Sequence, residues 1–280
     1  MKYEPTIMRR SAERGYTLVE VMVAITISVF LLMGLFSILQ QTRQTFGRQS
    51  AIAQLQDDER VAMSVLTDII QQAGYVPEAN GSGQSKFTAD GVFLTAGQVF
   101  IAGPGQVVGD KLTLRYVLAN NDTTLTCIGQ SNTTGAEAVY KEIFEVNTFN
   151  NVLALACSPS DGSGEVALVN NVANLSFQFA VNSTSASSIT AANALGPNTE
   201  TTHATGYGCP ADTYIATVNM SQYDWTNVCA VKVDIVFVNP LYQPPGQPHP
   251  TPGQLPYVTF ERVISVLNKT GVNVTSVTQS

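Results

Sequence analysis

Histidine is nearly missing from this chain: His203 and His249 are the only two, and both fall in loop-like sequence. Their scarcity removes most acid–base, nucleophile-activating and zinc-ligating constellations. No serine sits in a Gly-x-Ser-x-Gly elbow. Gly103-Pro104-Gly105 with Gly109 lacks dinucleotide-fold spacing and runs into a strand rather than a helix, so it reads as a turn. Asp57, Asp58 and Glu59 are consecutive on a helical stretch and cannot converge on one ion; they read as a solvated face. The sequence therefore offers no catalytic residue, no metal site and no cofactor. Basic charge is also scarce, with 14 Lys and Arg against 21 Asp and Glu and a net charge of −7. That balance disfavours direct nucleic-acid binding, whose affinity rests on neutralising phosphates. Charged residues of both signs make up only 12%, and Thr, Ser and Asn supply the polar surface instead, a composition that suits an exported protein. Asn-x-Ser/Thr triplets such as Asn132-Thr133-Thr134 are expected by chance in so Asn- and Thr-rich a chain.

What the chain has is one long apolar run. From Tyr16 to Leu39 it holds a single ionisable residue, Glu20. As a helix this stretch is about 36 Å long, enough to cross a hydrocarbon core of about 30 Å. Lys2, Arg9, Arg10 and Arg14 precede it, so the positive-inside rule puts residues 1–15 in the cytoplasm and the rest outside. An export signal would be followed by a small-residue cut site, but this run leads into Ser37-Ile38-Leu39-Gln40-Gln41, a continuing helix. The small residue stands on the other side: Gly15, between Arg14 and Tyr16. Cleavage there discards the leader and keeps the membrane helix. It also moves the net charge from −7 to −9, by removing four basic and two acidic residues.

Glu20 is then the residue that asks for a reason. A carboxylate inside a membrane helix costs about 2.5–3.5 kcal/mol at the centre and usually marks function. A cut after Gly15 frees an α-amine at Tyr16, one turn away, so amine and carboxylate can neutralise each other between neighbouring subunits. The bland alternative is a side chain that merely snorkels to the interface.

Gly15-Tyr16-Thr17-Leu18-Val19-Glu20 resembles, position by position, the signature shared by type IV pilins and the type II secretion pseudopilins. In that superfamily a Gly cut site precedes an aromatic, usually Phe, that becomes N-methylated, and Thr-Leu-hydrophobic-Glu follows. The resemblance implies that a dual-function prepilin peptidase cuts after Gly15 and methylates Tyr16. It implies that Glu20 guides docking into a filament.

Beyond the membrane stretch, residues 40–73 continue as a helix without proline. Ile52, Leu55, Ala62, Leu66, Ile69 and Ala73 form an apolar stripe, which predicts a helix with one face buried against a sheet. Gly34 and Gly47 weaken it locally by about 1 kcal/mol each relative to Ala. Gly74 and Pro77 supply a stop. From Tyr75 the periodicity becomes two. Strands are predicted near 92–95, 99–102, 112–118, 124–128, 139–146, 152–157, 175–181, 231–237 and 258–266. In the 112–118 strand Leu112, Leu114, Tyr116 and Leu118 alternate with Lys111, Thr113 and Arg115, the pattern of a half-buried strand. The fold class is α+β, a long N-terminal helix packed on an antiparallel sheet. The division is a leader, 1–15; a membrane helix, 16–39; a soluble helical half, 40–74; and a β-rich head, 75–280.

The four cysteines, Cys127, Cys157, Cys209 and Cys229, form no Cys-x-x-Cys and have no neighbouring His. An even number outside the cytoplasm argues for disulfides. Of three connectivities we favour Cys127–Cys157 and Cys209–Cys229, each closing a polar loop and adding roughly 2–4 kcal/mol. Two connections are long. Residues 182–213 are rich in Ser, Thr, Ala and Asn and read as a mobile surface loop. Residues 240–256 hold seven of the 13 prolines, an exposed extended excursion. This second loop reads as a plain connection, or as a partner-docking loop at a filament end.

Asp57-Asp58-Glu59-Arg60-Val61-Ala62 in the stem's second half, Gln71-Gln72-Ala73-Gly74-Tyr75 closing it, and a late Trp225…Val228-Cys229-Ala230-Val231-Lys232-Val233 strand resemble the PilW group of minor pilins. That resemblance implies a non-catalytic subunit of a tip complex that primes pilus assembly for adhesion and twitching motility. Its partners would be other minor and major pilins, the prepilin peptidase, the inner-membrane assembly platform and a PilY-type tip adhesin. Its place would be the bacterial inner membrane with a periplasmic head, and then the pilus on the cell surface. Two other readings stay open: the large J-type minor pseudopilin of type II secretion, and a single-pass anchored binding protein that never polymerises. A pilin that touches DNA directly is disfavoured by charge.

Overall fold

A computed structural model describes residues 15–77, 86–160, 163–181, 211, 213–220, 224–243 and 254–267. Most of the loop expected over 182–213 and most of the proline-rich stretch, 244–253, lie outside the described residues, as do His203, Cys209 and His249; Thr213, at the loop's expected end, is already strand.

One helix, α1, spans Leu18–Gln72, and no proline interrupts it. Gly74 ends it in the left-handed region at φ 76°, a conformation that costs glycine nothing. The chain divides into two compact units, the first closing at Ala51 and the second opening at Ile52. In the first unit the helical residues up to Ser50 are exposed. In the second, Ala62, Met63, Leu66, Ile69 and Ile70 of α1 are buried. Each Leu or Ile so covered contributes about 1.5–3 kcal/mol. The covered stripe differs from the expected one at its start: Ile52 is exposed and Leu55 half-buried, because cover from the β elements begins only further along the helix.

Among the described residues the second unit carries two antiparallel sheets rather than the one expected. The first is a meander of β1 (Phe100–Pro104), β2 (Val108–Leu118), β3 (Ala138–Phe149), β4 (Val152–Pro159) and β5 (Val166–Asn170), in that order across the sheet. The second is built from β6 (Val172–Val181), β7 (Thr213–Ala216), β8 (Ala230–Val238) and β9 (Tyr257–Ser265), ordered β7-β6-β8-β9. Asn171 alone connects the two, at φ 62°. Asn150 and Asn151 close the β3–β4 hairpin with φ of 49° and 63°, the positive pair that a type I′ turn demands. The Gly103–Gly109 stretch forms the β1–β2 hairpin, with Pro104 facing Asp110 and the Gly105 amide donating to Gly109 O at 2.8 Å.

Side chains from α1 and both sheets share one core, including Leu66, Ile70, Leu114, Phe144, Phe177 and Ile235. The sheets are fastened where β2 bulges. Asp110 Oδ2 accepts from the Phe177 amide at 3.0 Å and from Thr217 Oγ1 at 2.8 Å.

Three readings of the strands are corrected. Residues 124–128 form a turn, not a strand: the Thr126 amide donates to Gln130 O and the Gly129 amide returns to Thr126 O, both at 2.8 Å. Residues 92–95 likewise bend around Asp90 rather than pairing. And β2 is buried on both faces: Thr113, Arg115 and Val117 are as enclosed as Leu114 and Tyr116. The second face is covered because segment 86–98 folds over it.

Candidate functional site

The candidate site is the start of the chain's described part. Gly15, Tyr16 and Thr17 lie outside the helix, which begins at Leu18. Thr17 is its N-cap by both criteria: its carbonyl accepts from the Val21 amide at 3.2 Å, and its Oγ1 accepts from the Glu20 amide at 3.3 Å. Thr17-Leu18-Val19-Glu20 thus has the spacing of a capping box, in which the acid at the third helical position accompanies the capping hydroxyl. That role for Glu20 went unread in the sequence, although the Thr-x-x-Glu spacing carries it. The carboxylate also sits at the positive end of the helix dipole, where an anion is favoured.

The surface that follows is apolar all round. From Leu18 to Leu39 the large hydrophobic side chains stand between 43% and 77% exposed, and Tyr16 stands at 82%. An apolar surface this extensive requires lipid or partner helices. By length and composition α1 is able to cross a membrane. Its hydroxyls do not oppose this, since Thr26 Oγ1 donates to Met22 O and Ser28 Oγ to Ala24 O, both at 2.7 Å. A Cβ added at Gly15, Gly34 or Gly47 would meet nothing within 4 Å.

The remaining residues singled out from sequence lie in the second unit. Cys127 and Cys157 are joined in a disulfide with a Cα–Cα distance of 6.4 Å. Cys229 is also disulfide-bonded. Glu142 is buried beside the Cys127–Cys157 bridge, accepting from Tyr116 OH at 2.7 Å, with Oε2 2.7 Å from Cys127 Sγ. Cys127, Glu142 and Cys157 are the one group of potential metal ligands among the described residues, and the disulfide already occupies both sulfurs. Asp57, Asp58 and Glu59 lie on α1, where Glu59 Oε1 is 4.0 Å from Arg262 Nη2.

Residues 10–36 match the family described as the prokaryotic N-terminal methylation motif. No curated protein matches the chain. Among solved structures it is similar to the type IV-like pilin TTHA1219 from Thermus thermophilus, at 11% identity and a TM-score of 0.36, covering 76% of this chain and 97% of that one. The methylation-motif match includes Gly15–Glu20.

Proposed function

We propose that this chain is a minor type IV pilin, a non-catalytic subunit that primes pilus assembly within a tip complex. The observation that carries the reading is a methylation-motif segment whose Gly15–Glu20 signature opens a helix that is apolar and exposed from Leu18 to Leu39. In this reading residues 1–15 are a cytoplasmic leader removed by a prepilin peptidase. Residues 16–39 hold the subunit in the inner membrane and later in the filament, and residues 40–74 join them to a periplasmic head, 75–280. The new amine of Tyr16 becomes methylated. The Glu20 carboxylate then finds its counter-charge in the amine of a neighbouring subunit, which offsets the cost of holding it among apolar helices. Cys209 is the partner assigned to Cys229. Other pilins, the assembly platform and a PilY-type adhesin are the partners this role requires.

N-terminal mass spectrometry of the protein isolated from its native membrane tests the reading. The expected result is a chain beginning at Tyr16 with one added methyl group. A chain that still begins at Met1, or has lost the whole apolar segment, rules out filament entry by this route. Deletion then separates the two export-linked systems: loss of pili and twitching follows from the pilin reading, and loss of protein secretion from the pseudopilin one.

A further inference from the structure

Glu142 stands on β3 between the core residues Tyr140 and Phe144, two positions from each, so the period of a strand turns it toward the core as well. It is fully buried. An acid in such a place costs free energy unless its oxygens are matched. Oε1 accepts from Tyr116 OH at 2.7 Å and from the Cys127 amide at 3.4 Å. Oε2 lies 2.7 Å from Cys127 Sγ and 3.3 Å from Cys157 Sγ. In the closed bridge neither sulfur carries a proton, so an ionised Oε2 receives nothing from either. With the bridge open, each thiol S–H is a donor within reach of Oε2. A proton thus has a seat in both states, on sulfur when the bridge is open and on the carboxyl when it is closed.

The two cysteines differ in access. Cys157 lies on β4 opposite Phe144 and is fully buried. Cys127 lies on the 124–129 turn and is 7% exposed. It is also one of the residues lining a half-open cleft of about 600 Å³ between that turn and the C-terminal end of α1. Thiol–disulfide exchange is governed by which sulfur can be reached and by where the thiolate forms. Here the reachable sulfur borders the cleft, the unreachable one lies behind it, and a fixed acid touches both.

We propose that this constellation is a thiol–disulfide exchange site, in which a disulfide oxidant enters at Cys127 through the cleft and Glu142 is the proton acceptor for the closing step. The Cys127 thiol gives its proton to solvent, and its thiolate attacks the oxidant R–S–S–R. Cys127 then carries S–R, and one R–S⁻ departs. Glu142 takes the proton of Cys157 as that sulfur attacks Cys127 Sγ. The bond from Cys127 to R–S breaks, and the second R–S⁻ leaves through the cleft with the electron pair. Two cysteine thiols are oxidised, one external disulfide is reduced, and one proton remains on Glu142. Tyr116 OH holds Oε1 and so leaves Oε2 turned to the sulfurs. The site lies within the second unit and does not depend on how the N-terminus is processed.

The test uses the full chain in detergent micelles, reduced with dithiothreitol without denaturant, freed of reductant with a chelator present, and exposed to oxidised glutathione. Acid-quenched samples are mapped by mass spectrometry, which reads the Cys127 and Cys157 peptides separately from those of Cys209 and Cys229. Glutathione should appear first on Cys127 and vanish as the bridge closes; in Cys157→Ser it should persist there. Glu142→Gln should leave capture at Cys127 unchanged and slow closure about 10²-fold, the lower end of what a positioned base contributes. Glu142→Asp, whose acid is drawn back by one methylene, should close faster than Glu142→Gln. A Glu142 that only supports the fold would alter capture and closure together. An adduct that forms first on Cys157, or equally on both sulfurs, overturns the proposal on the wild-type chain alone, whatever the variants do. So does wild-type closure in Glu142→Gln.

Discussion

The guanidinium of Arg115 lies 3.6 Å from the carboxylate of Asp90, and this pair pins segment 86–98 to the otherwise open face of β2. Arg115 is buried and fully engaged. Its Nε donates to Gln98 O at 2.7 Å, Nη1 to Thr88 O at 2.6 Å and Nη2 to Phe87 O at 3.2 Å, while the head lies 4.2 Å from the centre of the Phe93 ring. Burial pulls its pKa down to about 10, against the opposing pull of Asp90. We expect Arg115→Met to cost about 3–5 kcal/mol, since the carbonyls of Gln98, Thr88 and Phe87 lose their donor in a dry setting. Arg115→Lys should also destabilise, because one ammonium cannot span the same fork. Urea denaturation of the full chain measures both.

Asp90 gives this clasp a pH dependence. Burial alone pushes its carboxyl up, but the Lys141 hydrogen bond, the Phe93 and Val92 amides and the Lys141 charge outweigh it, and the pKa ends below the ordinary 3.8. A carboxylate whose pKa is lower in the folded state contributes stability above its unfolded value and loses it as pH falls through the folded one. Stability should therefore drop below about pH 4, and Asp90→Asn should flatten that acid limb while lowering stability at neutral pH. Denaturation midpoints between pH 2.5 and 7, spanning the ordinary carboxylate range, read it out.

Asp58 works in the opposite sense. Burial, and secondarily the charge of Asp57, raise its pKa above 3.8, so the folded chain holds this proton more tightly than the unfolded one. Stability from this group is greatest at low pH and falls as pH rises through the window above 3.8. Asp58→Asn should raise the midpoint at pH 7 and leave it nearly unchanged in acid. A decrease at pH 7 would show the carboxylate to be engaged rather than strained.

These two acids mark the limit of what was legible in the sequence. Strands with clean alternation, such as 175–181 and 231–237, and the Leu66–Ile69 stripe were readable because period and burial coincide. The five-residue β5 and four-residue β7 were missed because each is too short to display a period. Thr124–Ile128 looked like a strand by composition, but Gly129 at φ 78° marks it as a turn. Arg115 read as solvent-facing because its cover, Phe87 and Phe93, arrives from 28 and 22 residues away with no local sign. The Gly15–Glu20 signature was readable for the converse reason: it is contiguous.

At Gly109 the backbone of β6 comes close against β2, and there a glycine is required. Its φ is 73°, and an added Cβ would stand 2.3 Å from Leu175 O and 2.5 Å from Asn174 Oδ1. Gly109→Ala should cost about 3 kcal/mol or more, combining backbone strain with displacement of β6. Gly103→Ala, one strand earlier with open space around it and no positive φ, should stay within about 1 kcal/mol of wild type. Thermal midpoints of the pair test whether the site or the residue type decides.

Glu20 has two candidate duties that a single substitution can separate. As the third helical residue after Thr17 it belongs to a capping box, a role glutamine fills as well as glutamate. As a buried charge seeking the Tyr16 amine of a neighbour, it has no substitute without a negative charge. Glu20→Gln therefore preserves the cap and removes the counter-charge. We expect the variant to be cleaved and to remain in the inner membrane at normal levels, while its share in sheared filaments falls at least tenfold, or about 1.4 kcal/mol per subunit contact. Thr17→Ala, which removes the cap but keeps the charge, should cost about 1 kcal/mol of helix stability and enter filaments more readily than Glu20→Gln. Wild-type incorporation of Glu20→Gln would reduce Glu20 to a helix cap and leave the filament without its electrostatic guide.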